Sequence, residues 1–246
     1  MDSLWNPHIT AQLSSSYQLY RQQNGCPYGC ALAVHKSLTV LDQGFVDYPN
    51  SKMGRGILYV RARLPFSGRS VLFATTHLES FNGKDDPGGP QRAAQCRAIR
   101  DFCATSARGS TRVITGDMNW DDYLAPRSRR KLQDNATMRS IFAENQQCGW
   151  HDTWLDHNAE DTDPGYTYDP KENPMLGGGN LRRRFDRCIV DATATCTNAQ
   201  LLGKEAIGDL TYDKYNPFNH KTTTRPLAPS DHFGYVATLR VDNTSN

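Results

Sequence analysis

Hydrophobic and polar positions alternate along 57–64, ILYVRARL: Leu58, Val60, Ala62 and Leu64 fall on one side, Tyr59, Arg61 and Arg63 on the other. A period of two over that length predicts a β-strand with one buried face. The run 70–76, SVLFATT, predicts a second strand that ends at His77. Chain breakers fill 82–90, NGKDDPGGP, and predict a surface loop. The period then becomes helical over 91–107, with Cys96, Ile99, Phe102 and Cys103 on one stripe and Arg92, Arg97 and Arg100 mostly elsewhere. Short strands are expected at 112–116, 185–190 and 233–241, and the polar, basic stretch 121–134 reads as a loop and the start of a helix. Strands and helices interleave without strict alternation, so the expected class is mixed α/β (α+β), one domain over 1–246.

Composition narrows the picture. Hydrophobic residues make up 37%, enough for a core, and the net charge of +2 excludes a wholesale polycation, so any nucleic-acid surface must be a local patch. No apolar stretch is long enough to span a bilayer, and MDSLWNPHIT lacks the pattern of a secretory signal. Seven cysteines without such a signal are expected to be reduced thiols, in the nucleus and/or cytoplasm of a protein that is not secreted. Cys26 and Cys30 have metal-ligand spacing but no matching second pair, so zinc is not expected.

Four strand ends carry polar residues: THLES at 76–80, GDMN at 116–119, RRFDR at 183–187 and SDHFG at 230–234. Rigid strands aim side chains from their ends, which is how sheet proteins build sites. GDMN alone would read as turn chemistry. Two histidines and three carboxylates (Asp117, Asp186, Asp231) gathered this way point to more. Carboxylates without thiolates suit Mg²⁺ or Mn²⁺. An imidazole can donate to a phosphoryl oxygen, and a carboxylate can deprotonate water, worth ~10²–10⁴-fold. An amide beside it can position that water. This is the toolkit of metal-assisted phosphoester hydrolysis.

The four motifs, with the segment from GYTYD to LRRRFDR (165–187), resemble the endonuclease/exonuclease/phosphatase superfamily, in its tyrosyl-DNA phosphodiesterase 2 branch. THLES followed by a helix bearing Gln91 and Arg92 is the more specific signal, since GDxN and SDH are common to the superfamily. The resemblance implies a four-layer α/β/β/α sandwich. It implies a Mg²⁺-dependent, monomeric phosphodiesterase acting on DNA 5′ ends that carry a tyrosyl adduct. It further implies that Asp117 holds or activates the attacking water with Asn119 beside it. His232 would contact the scissile phosphate, Asp186 would orient His232, and His77 would donate to a phosphate oxygen. Asp231 would support the metal, and Ser80 and Arg92 would sit on the DNA backbone. Trp154, Phe185 and Phe233 would form an apolar wall against terminal bases. The basic clusters 127–131 and 182–184 would add sequence-independent affinity if not simply solvated.

The front of the chain departs from that pattern. The family places a metal-binding glutamate at the end of an early strand, behind a strand with a Trp-Asn pair. Here Leu4–Leu13 matches the helix that follows the glutamate, and Trp5-Asn6 runs straight into Pro7, so neither motif is found in place. Asp2 is the only nearby acid. The chain is therefore expected to lack the first strands and helix of the sandwich. A truncated chain is the preferred reading, beside a DNA-binding relic that does not cleave and an enzyme with an altered metal site. Another phosphoester hydrolase of the same superfamily is the further alternative.

Overall fold

The computed structural model describes residues 7–26, 29–80, 89–107, 109–120, 138–158, 163–216 and 219–242. A short helix α1 (Pro7–Ser14) leads into a hairpin, β1 (Tyr17–Arg21) and β2 (Ala31–His35). Three strands follow, β3 (Thr39–Asp47), β4 (Gly56–Arg63) and β5 (Ser70–His77), then α2 (Gly89–Ser106) and β6 (Thr111–Asp117). After α3 (Met138–Ala143) come β7 (His151–Asp152), α4 (Thr153–His157) and β8 (Asp186–Val190). The chain ends with β9 (Ala194–Leu202), the hairpin β10 (Thr211–Asn216) and β11 (Lys221–Pro226), and β12 (Gly234–Val241).

Among the described residues, six strands form the central sheet in the order β3-β4-β5-β6-β8-β7. All neighbours are antiparallel except β5 and β6, the one parallel pair among them. A parallel pair needs a crossover, and α2 lies in that connection. Its stripe of Cys96, Ile99 and Cys103 packs with Leu72, Leu78, Ile114 and Ile189 of the sheet region and with Met138, Ile141 and Phe142 of α3. The opposite face of the sheet is covered by two ribbons. Val71, Val113, Cys188 and Val190 meet Ala194, Tyr235 and Leu239 of the β9–β12 pair, while Val60 and Ala62 meet Val34 and Leu32 of β1–β2. Phe73 of β5 touches both clusters. The result is the expected mixed α/β class, helices on one face of a sheet and strands on the other. Among the described residues the strands of that second layer are separate two-stranded ribbons.

The alternating strand is β4, with Leu58, Val60 and Ala62 buried and Arg63 exposed, and β5 ends at His77 as expected. The helix starts two residues early, taking Gly89 and Pro90 from the predicted loop, while 81–88 lie outside the described residues. The cluster Arg127, Arg129, Arg130 and Lys131 also lies outside them. One expectation for α2 fails: Arg92 and Arg100 are 2% and 7% exposed. Both guanidiniums donate to groups inside the protein, Arg92 Nη1 to the Glu79 carbonyl at 3.2 Å and Arg100 to the Ile141 carbonyl and Glu144. A helix packed under both a strand exit and a second helix buries even its polar flank when carbonyls wait there. No described helix is long and apolar enough to cross a membrane.

Gly116 sits where this sheet has least room. Its φ is 136°, and a Cβ there would lie 1.8 Å from the Thr76 carbonyl oxygen of the paired strand. Gly116→Ala must therefore prise β6 from β5 or adopt a strained backbone. The expected outcome is a loss of at least about 2 kcal/mol of stability, read as a lowered urea midpoint with an unchanged slope.

Candidate phosphoryl-transfer site

Backbone register sets three of the site's side chains in a row. His77 of β5 pairs with Asp117 of β6, and Asp117 pairs with Asp186 of β8. Alternation along each strand sends them to the face that carries Phe73, Val113 and Cys188, beneath the β9–β12 ribbon. The fourth, His232, comes from the turn before β12. Thr167, 1% exposed, locks that turn to β8: its carbonyl accepts from Phe233 N at 2.7 Å, and its hydroxyl accepts from the backbone of Phe185 and Asp186. Asn173 adds a bond to the Ser230 carbonyl at 2.9 Å. His232 Nδ1 then meets Asp186 Oδ2 at 2.7 Å.

The two histidines are held in opposite states. Arg55, 4% exposed, places Nη1 2.8 Å from His77 Nδ1. A guanidinium only donates, so Nδ1 accepts and the ring proton is on Nε2, 3.3 Å from Asp117 Oδ2. Burial, and then the Arg55 charge, hold His77 down at about 4, so it is neutral and its contact with Asp117 is a hydrogen bond from an uncharged ring. Burial also works against charge on His232, but the hydrogen bond and charge of Asp186, with Asp117 and Asp231 behind them, outweigh it and lift the imidazolium to about 9. Burial, then repulsion from Asp186, raises Asp117 to about 6, against the pull of His232 and a bond from Asn119 N at 2.8 Å.

The remaining expected residues divide. Asn119 takes a left-handed backbone, φ 46°, and its amide donates to the Leu78 carbonyl at 3.0 Å, so it clamps Asp117 to the β5 exit. Ser80 accepts from Arg55 Nη2 at 3.4 Å, beside His77. Phe185 stacks near His232 with ring centroids 6.1 Å apart. Asp231 is exposed and bonded to Ser230 Oγ. Three expectations need correction. Trp154 is 5% exposed, pressed against Gly165 with its Nε1 on the Asp163 carbonyl, and Phe233 is 2% exposed. Both are core residues rather than a wall for bases. Arg92 is buried on Glu79 and presents no guanidinium at the surface. In the basic run 182–184, Arg184 is 3% exposed and pairs with Asp152 at 2.7 Å, while Arg182 pairs with Asp169 at 2.6 Å.

Sequence reasoning missed Arg55, Thr167 and Tyr168. Tyr168 stands edge-on to His232 with centroids 5.2 Å apart, so it is Tyr168 and Phe185, not Trp154, whose rings lie beside that histidine. Its signal was present in GYTYD. Glu79, inside THLES, is 1% exposed and accepts from Ser51 Oγ, Lys52 N and Gln95 Nε2, tying the loop that carries Arg55 to α2.

Asp117, Asp186 and His232 bring ligand-capable atoms within 4.8 Å of one another. A charged His232 bonded through Nδ1 is a poor ligand, whereas the two carboxylates offer hard oxygens. Mg²⁺ keeps several waters and needs only one or two carboxylates, so Asp117 and Asp186 fit such a cation and would hold it.

No family model matches the chain. It is 27% identical over 200 residues to the 5′-tyrosyl-DNA phosphodiesterase of Caenorhabditis briggsae and 25% identical over 201 residues to that of Caenorhabditis elegans, in each case across 80% of this chain. Those matches cover 50% and 48% of the relatives, so the chain spans about half the length of the curated relatives it matches. Among solved structures, truncated C. elegans TDP2 superposes with a TM-score of 0.68 at 22% identity, covering 96% of this chain and 79% of that one. D. rerio TDP2 complexed with a single-strand DNA product gives 0.70 at 19%, covering 96% and 81%. An endonuclease/exonuclease/phosphatase family protein from Bacteroides thetaiotaomicron gives 0.65 at 14%, covering 97% and 79%. The chain is therefore similar in sequence to 5′-tyrosyl-DNA phosphodiesterases and has the fold shared by these structures.

In metal-free protein, a histidine-selective NMR titration is expected to show His232 still charged at pH 8 and titrating near 9, and His77 neutral from pH 5 upward. Asp186→Asn removes the dominant support, so His232 should then titrate near or below about 6.5. By linkage, the His232–Asp186 pair stabilises the fold fully below about pH 6.5 and loses that contribution as pH rises through about 9.

Proposed function

We propose that this chain hydrolyses the phosphodiester between a tyrosine and a DNA 5′ end, as a monomer, with Mg²⁺ or Mn²⁺ as the cation and with DNA repair in the nucleus as its setting. The observation that carries the reading is the convergence of His77, Asp117, Asp186 and His232 on one face of the sheet. The chain's sequence similarity to 5′-tyrosyl-DNA phosphodiesterases supports this choice of substrate class.

The side chains divide the work. Asp117, held by Asn119 N and His77 Nε2, orients a water and takes its proton as the water oxygen bonds to phosphorus. The opposite P–O bond breaks and tyrosine leaves as a phenolate, whose conjugate acid near pKa 10 makes it an undemanding leaving group. His232, oriented through Nδ1 by Asp186, donates from Nε2 to a phosphoryl oxygen as charge builds there. His77, kept neutral by burial and then by Arg55, spends its Nε2 hydrogen on Asp117 rather than on the phosphate oxygen expected of it, and so holds Asp117 without neutralising it. When bound beside Asp117 and Asp186, a divalent cation supplies further charge stabilisation. Tyr168 and Phe185 give the terminal nucleotide an aromatic surface next to His232, and stacking of this kind contributes ~1–3 kcal/mol per base regardless of sequence.

A 5′-phosphotyrosyl oligonucleotide with Mg²⁺ tests this. Release of tyrosine is expected, and Asp117→Asn or His232→Ala should each slow it by at least about 10²-fold. No release by the intact chain sinks the activity; with DNA affinity retained, that outcome favours the non-cleaving relic. Faster turnover of a sugar phosphate or RNA favours another hydrolase of the superfamily.

A further inference from the structure

The β10–β11 hairpin enters none of the steps above, yet its chain runs from Pro226 through Leu227 and Ser230 directly into His232. Its base is closed by the residues that flank it: Ile207 N donates to the Leu227 carbonyl at 2.7 Å and Leu227 N to the Leu210 carbonyl at 2.8 Å. The two faces of the ribbon differ in charge. Cross-strand register puts Tyr212 with Arg225, Lys214 with Thr223, and Asn216 with Lys221 on one face. That face carries three cations and no acid. The other carries Thr211, Asp213 and Tyr215 with Pro226, Thr224 and Thr222. Tyr212, Lys214 and Arg225 are half-buried and Asn216, Lys221 and Thr223 exposed, so the basic face packs on the body near its base and opens to solvent toward its tip.

What it meets there is the loop that leads to Phe185 and Asp186. Tyr212 Oη donates to the Met175 carbonyl at 2.9 Å, and the Arg225 guanidinium lies where a Cβ on Gly177 would be. Lys204 continues the basic line toward the catalytic turn, its ammonium 5.8 Å from the Phe233 ring. In a chain with a net charge of only +2, such segregation has a direction: from His232 outward along the ribbon, about 20 Å for six residues of strand. Lys214 and Lys221 form no ion pair among the described residues, and Lys221 is exposed. Ammonium groups spaced along a strand suit the repeating phosphates of a polynucleotide better than a single anion.

We propose that the β10–β11 hairpin is a phosphate-tracking arm, on which Lys214 and Lys221 hold the backbone of the DNA strand running away from its 5′ end at His232. This rests on the reading of the site as acting on DNA 5′ ends. The test uses the full chain and its Lys214→Ser, Lys221→Ser double variant, with two 5′-phosphorylated oligothymidylates, a dinucleotide and a strand of about twelve nucleotides, in salt-dependent anisotropy. The wild type should bind the long strand more tightly than the short one. The variant should bind the long strand at least about five-fold more weakly, with a salt slope smaller by about 1.4, while binding the dinucleotide and cleaving a 5′-phosphotyrosyl dinucleotide as before. Equal affinity and slope for the long strand in both proteins would overturn the arm while leaving the site intact. A wild type that neither binds DNA nor cleaves the tyrosyl dinucleotide would overturn both.

Discussion

Backbone pairing between β5, β6 and β8 holds His77, Asp117 and Asp186 shoulder to shoulder, and every later feature of the site depends on that register. A slip of one residue would turn all three side chains to the helix side of the sheet. The alignment needs β5 and β6 parallel, so it needs α2 as the crossover. It also needs Gly116, because the strands approach too closely for a Cβ there. α2 in turn reaches back to the exit of β5, where Gln95 and Arg92 hold Glu79 and Glu79 holds the loop carrying Arg55. The burial of those polar groups is thus connected, through a few hydrogen bonds, to the position of one imidazole.

That connection explains why two histidines a few side chains apart carry opposite charge states. A buried ring with a guanidinium on Nδ1 stays neutral; a ring with a carboxylate on Nδ1 keeps its proton. Between them lies Asp117, made more basic than an ordinary aspartate by burial and by Asp186. A strained asparagine backbone and a buried threonine set the geometry of these partners.

The sequence showed the strands that alternate or run apolar into a polar end, and so it showed His77, Asp117, Asp186 and His232. Their chemistry stands out because acids and imidazoles end apolar runs. Arg55 did not stand out: its role comes from contact with a residue 22 positions away, and nothing local marks it. Trp154 and Phe233 were placed at the surface by resemblance, but Gly165 and Thr167 draw them into the core. Arg92 was expected on the DNA backbone and Arg184 in a basic surface cluster, because arginine is usually exposed, and only the fold reveals the carbonyl and carboxylate that meet them. The β3, β10 and β11 strands are largely exposed and have no apolar period to read.

The central claim is that water attacks phosphorus at the joint between DNA and tyrosine, on the Asp117 and His232 centre. Hydrolysis of a 5′-phosphotyrosyl oligonucleotide in ¹⁸O-enriched water, with mass analysis of both products, tests it most directly. The account predicts one ¹⁸O in the 5′-phosphate left on the DNA and unlabelled tyrosine. Label in the tyrosine hydroxyl, or a 5′-phosphate formed without label, would contradict it.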